Sequence, residues 1–96
     1  MYYKLYRERS RTSHPAGLDT FEEFNKIYTE NGVKVIGVWQ NQHNDREYFF
    51  MTAYRDEDHY NQFVHAVSGN ARYQELSNIL ARDRESIEAI SLIEMA

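Results

Sequence analysis

Few side chains in this sequence have the chemistry of a general acid or base. Such a group needs a polar atom inside an apolar pocket, where burial tunes its proton affinity. Tyr54, which closes a run of apolar residues, and His59, five positions on, are the best placed candidates for catalysis. With Trp39, Phe50 and Phe63 they make a candidate ligand pocket, in which Trp39 is either a core or interface aromatic or a stacker for a substrate ring. No metal site is expected. His59 and His65 are six residues apart, which on a helix separates them by roughly 120° and prevents shared chelation. Asp56 and Asp58 beside His59 suit a helix start, where acidic groups meet the positive end of the helix dipole. His14 and His43 fall in polar segments and read as solvated. Arg7, Arg9 and Arg11 recur at period two, so an extended segment sets them on one side. There they could hold a carboxylate or phosphate, or simply form a solvated strand end with Glu8. No nucleophile elbow, phosphate loop, dinucleotide fingerprint or HExxH motif occurs.

The elements that must position these groups follow from periodicity. Residues 1–8 read as a strand, with Met1, Tyr3 and Leu5 on one face. A polar loop over 9–17 leads to a helix in which Phe21, Phe24, Ile27 and Tyr28 share a face. Thr20 with Glu23, or Asp19 with Glu22, fits a capping box, and Asn31-Gly32 is a stop signal. Residues 33–39 form an apolar strand with Gly37 inside it, the mark of a bulge or a close approach. A polar hairpin over 40–46 returns as a strand over 47–54 that is apolar on both faces. Asp56 caps a second helix with Tyr60, Phe63, Val64 and Val67 in helical register, and Ser68-Gly69 ends it. Asn70 caps a third helix with Tyr73, Leu76, Ile79 and Leu80 inward. Residues 82–85 connect to a last strand over 86–93.

The resulting order, β-α-β-β-α-α-β, is the split βαβ plan of a ferredoxin-like α+β sandwich. Its four-stranded antiparallel sheet would carry helices on one face only. The 96 residues make a single domain, with 15 acidic against 11 basic side chains and a formal charge of −4. A chain of this size buries only about 60–65% of its unfolded surface, yet eight Tyr, five Phe and one Trp must be placed. The strand aromatics fall on both sheet faces, and one helix layer covers one. The bare face predicts sheet-to-sheet pairing of two copies, a homodimer. The absence of Cys excludes disulfides and thiolate metal sites. The acidic balance argues against nucleic acid, and the short apolar runs against a membrane span. With no signal peptide visible at Met1-Tyr2-Tyr3-Lys4, a cytoplasmic location is expected.

Several segments carry a family resemblance. Val35-Ile36-Gly37-Val38-Trp39, the polar hairpin, Tyr48 to Tyr54 and the acidic start at Asp56 resemble a NIPSNAP-type domain. So do Asn70-Ala71-Arg72-Tyr73, Arg84-Glu85-Ser86-Ile87 and the Pro15-Ala16-Gly17 turn. The resemblance places the chain in the dimeric α/β barrel superfamily, whose members include cofactor-independent antibiotic-biosynthesis monooxygenases and haem-degrading enzymes. Haem-degrading relatives carry an Asn on the first strand and a Trp ending the third. This chain has no Asn in its first strand and has Tyr54 in place of the Trp, which speaks against haem degradation. The resemblance therefore implies a homodimeric barrel without a cofactor, binding a small apolar ligand between sheet and helices. The alternative it implies is a cofactor-independent monooxygenase acting on a small aromatic or polyketide-like compound.

Overall fold

A computed structural model describes all 96 residues. The strand-forming N-terminus extends further than its apolar residues, as β1 (Tyr2–Ser10). After the loop come two helices in immediate succession, α1 (Ala16–Asp19) and α2 (Phe21–Glu30). The antiparallel hairpin is β2 (Lys34–Asn41) and β3 (Asn44–Tyr54), turned at Gln42-His43. Then follow α3 (Glu57–Ser68), α4 (Ala71–Asp83) and β4 (Arg84–Ile93). The sheet order is β2-β3-β1-β4, antiparallel throughout, which is the ferredoxin-like arrangement.

Most sequence signals act as their chemistry requires. Asp56 Oδ1 accepts from the His59 backbone N–H at 2.8 Å, and Asn70 Oδ1 from that of Tyr73 at 2.9 Å, so both caps form. Gly32 takes φ +71°, the left-handed turn that a side chain would resist. Strand register slips between Val35 and Gly37, leaving Ile36 as the bulge. The Trp39 ring lies over Gly37, where a Cβ would come within 2.8 Å of it.

Four expectations need correction. The capping box at the start of α2 does not form, because α1 runs directly into α2. Thr20 is itself helical and its hydroxyl donates backwards to the Ala16 carbonyl at 3.0 Å. The polar loop is shorter than expected because its ends are a strand extension and a helical turn. No connection separates α4 from β4. On α3, Val64 is 44% exposed, while His59 turns inward beside Phe63 and Val67.

Alternation along the strands divides the side chains between two faces. Tyr2, Tyr6, Phe50 and Tyr54 face the helices, and the core forms there against Phe24, Tyr28, Phe63 and Leu76. The aromatic packing is mostly tilted or edge-on: Tyr54 meets Tyr60 at 5.1 Å and 88°, and Phe63 meets Tyr73 at 6.0 Å and 85°. Arg72 closes the helix layer with a two-pronged bond to Glu23, at 2.7 and 2.6 Å. The opposite sheet face has no helix over it. Leu5 lies between Met51 and Ile90 at its centre, and Tyr3 lies between Ala53 and Leu92. β4, its outer edge unpaired, is exposed along nearly its whole length. The molecule is accordingly a plate, 36 × 35 × 19 Å.

Candidate functional site

Between the helix layer and the sheet the packing leaves a cavity of about 210 Å³. Its walls are largely aromatic. Phe21, Phe24 and Tyr28 of α2 face Tyr6 of β1 and Phe50 of β3, with Tyr73 and Leu80 of α4 closing one side. The short α1 borders the cavity through Gly17, beside residues of α2, α4 and all four strands.

One carboxyl group projects into this apolar space. Glu8 sits on the helix-facing side of β1 and is 5% exposed. Its Oε1 accepts from Arg84 Nη1 at 3.2 Å, across the β1–β4 pair. Burial pushes the Glu8 carboxyl above its ordinary range, against the pull of the Tyr48 hydroxyl and the Arg84 guanidinium. The tyrosine hydroxyls around the cavity are raised too: burial holds Tyr6, Tyr48 and Tyr28 protonated well beyond the usual phenol range. These hydroxyls are hydrogen-bonding groups and not anions at any physiological pH.

Asp83, at the end of α4, holds the rim in place. Its Oδ2 accepts from Ser10 Oγ at 2.9 Å and from the Ala16 backbone N–H at 3.0 Å. Its backbone carbonyl accepts from the Arg11 N–H at 2.8 Å. One residue thus ties the end of β1, the following loop and the start of α1 to α4. That anchoring sets Gly17 against the Tyr48 hydroxyl.

No protein-family model and no curated protein matches the sequence. Solved structures do match the fold. A NIPSNAP family protein from Agrobacterium tumefaciens superposes with a TM-score of 0.80 at 18% identity, over 96% of this chain and 90% of that one. An uncharacterized NIPSNAP domain protein from Burkholderia xenovorans does so with a TM-score of 0.72 at 19% identity, over 100% and 96%. The chain has a NIPSNAP-like fold. SnoaB, a cofactor-independent oxygenase from Streptomyces nogalater, has it as well, with a TM-score of 0.80 at 11% identity over 99% and 93%. At these identities the likeness is one of fold, and site chemistry must be read from the residues themselves.

Within this fold the five pocket candidates are dispersed. Phe50 lines the cavity. Tyr54 and Phe63 lie in the solid core next to it, where the Tyr54 hydroxyl accepts from Thr52 Oγ1 at 3.2 Å. Burial raises the Tyr54 phenol as it does the others. His59 is also buried, and both ring nitrogens are occupied: Nδ1 accepts from the Arg55 N–H at 3.1 Å, and Nε2 donates to the Asn31 carbonyl at 3.0 Å. This pairing sets the tautomer and joins the end of α2 to the start of α3. Trp39 lies on the bare sheet face, 48% exposed. Arg7 and Arg9 share Glu47, at 3.1 and 3.5 Å on its Oε2, and Asn41 Nδ2 donates to its other oxygen at 2.9 Å. These partners hold the Glu47 carboxyl below its ordinary range, so the arginine pair already has its anion.

Periodicity could not find Glu8. In the run Arg7-Glu8-Arg9 it reads as one charge of a solvated strand end. Only the pairing of β1 with β4, which places Ile87 opposite Glu8 with Arg84 close by, shows that the carboxylate points inward.

Proposed function

We propose that this chain is a single-domain, cytoplasmic, small-molecule-binding protein that works as a homodimeric α/β barrel. The observation that carries the reading is the aromatic cavity with a buried Glu8–Arg84 pair in its wall. A concave apolar site with a few convergent polar groups is the usual form of a ligand site. An aromatic ring can pack against Phe21 and Phe50, which themselves meet edge to face at 6.3 Å, while a polar substituent meets Glu8. Pairing through the bare sheet face would bury Leu5, Met51 and Ile90 and close the barrel.

Soaking or titrating single- and double-ring aromatic fragments, followed by amide chemical shifts, tests the binding claim. The reading expects shifts clustered on Phe21, Tyr28, Phe50 and Tyr73, abolished by filling the cavity with Leu80→Trp. Shifts scattered over the surface and unchanged in that variant would overturn it.

A second reading is supported by the Glu8 carboxyl itself and by the fold shared with the oxygenase SnoaB. Here the cavity holds an aromatic substrate for cofactor-independent oxygenation, with Glu8 as the base. Oxygen uptake in metal-free buffer, lost in Glu8→Gln, distinguishes catalysis from binding alone.

A further inference from the structure

The cavity's polar groups do more than mark it as a site: they discriminate between ligands. An ionised carboxylate has about four lone-pair positions. Arg84 takes one on Glu8, and Tyr48, paired opposite Glu8 on β3, lines the same cavity. The remaining acceptor capacity faces a mostly apolar wall that includes Phe21, Phe24, Val38 and Phe50, with the Tyr6 and Ser77 hydroxyls as its other donors. Tyr28 and Tyr73 line the helix side of the cavity. An acceptor that a ligand seals off from water without donating to it is unfavourable, so a ligand that brings an N–H or O–H is held more firmly than its alkylated analogue. Anions meet the opposite condition. The Glu8 carboxylate faces the interior, and Asp83 adds a second negative charge behind it. Arg84, the one cation at the cavity, is already engaged with Glu8.

We infer that Glu8 is the specificity-determining residue of the cavity, selecting uncharged aromatic hydrogen-bond donors of the phenol, aniline or indole type and rejecting carboxylates and phosphates. This rests on the cavity being the ligand site, and it adds the class of ligand.

The test compares three fluorescent probes on the full chain at pH 8: 2-naphthol, 2-methoxynaphthalene and 2-naphthoate. The first should bind at least about tenfold more tightly than the second, as expected for a hydrogen bond to a charged group, and the third should not bind measurably. Glu8→Gln, checked for native circular dichroism, should shrink the tenfold gap to within about threefold and admit the naphthoate. The three-probe comparison on the unaltered protein needs no variant to fold. Equal binding of naphthol and its methyl ether overturns the role of Glu8 and leaves the cavity site standing. Tightest binding of naphthoate overturns it in favour of Arg84 as the anchor. Binding by none of the three overturns the cavity site together with the inference.

Discussion

A side chain on Gly17 would collide with the Tyr48 hydroxyl: a Cβ built there comes within 2.5 Å of Tyr48 Oη and 2.9 Å of Cζ. Tyr48 is buried and its ring cannot swing into solvent. The glycine therefore shapes the rim of the cavity, and its role is steric. Gly17→Ala is expected to destabilise the fold by about 1–3 kcal/mol, the usual range for overpacking. Adding Tyr48→Phe removes the closest atom and should restore part of the loss. A double-mutant cycle by urea denaturation measures this coupling, and additive losses would refute the steric account.

Stability should depend on pH through Glu8 in a direction opposite to that of Glu23 and Glu47. Burial lifts its proton affinity above the ordinary value of 4.5, so above that pH the folded chain retains a proton that the unfolded chain has released. The contribution is complete below about pH 4.5 and declines as pH rises through the folded-state value. Glu23 and Glu47, held below the ordinary value by Arg72 and by Asn41 and Arg7, behave inversely and lose their contribution on acidification. Glu8→Gln has no proton to release. Its stability relative to the parent should therefore rise from pH 4 to pH 7, measured by urea denaturation across that range. A difference that stays flat with pH would contradict a buried, proton-retaining Glu8.

His59 is expected to matter for folding and not for binding. Its replacement by Ala strands the Arg55 N–H and the Asn31 carbonyl and opens space beside Tyr54. The loss should be roughly 2–4 kcal/mol. Ligand affinity at a temperature where the variant is folded should stay within about twofold of the parent. A selective loss of affinity without loss of stability would return His59 to the site.

The bare face predicts a mass of twice the 11.5 kDa chain by light scattering at micromolar concentration. Met51→Glu puts a charge at the centre of that face, between Gly37 and Leu5, without touching the helix-side core. It should halve the mass and leave the circular dichroism unchanged. A parent protein already at single-chain mass would remove the barrel from the proposal.

The parts of this fold that were readable from sequence are those whose signals are local. Asp56 and Asn70 cap what they precede, Gly32 turns where it must, and Gly37 marks its bulge. The failures share a cause in non-local geometry. α1 has four residues, too few for any periodicity, and its existence depends on Asp83, which lies 67 positions away from Ala16. The capping box at Thr20 was sound chemistry overruled by that helical turn. Val64, in helical register with Tyr60, Phe63 and Val67, is exposed, while His59 takes an inward place held by two backbone partners. Of the five pocket candidates only Phe50 lines the cavity, because the others depend on packing between elements that periodicity does not fix. Glu8 escaped notice because alternation says only that neighbours point apart. Which of them faces inward is decided by the strands on either side.

The plate shape has a consequence for handling the protein. A slab 19 Å thick, with Leu5, Met51 and Ile90 bare on one face beside the Arg7–Glu47–Arg9 cluster, is expected to act as a surfactant in its unpaired form. Diluted until copies separate, it should collect at air–water boundaries and lower the surface tension. The Met51→Glu variant, unable to pair but charged underneath, should do so far less.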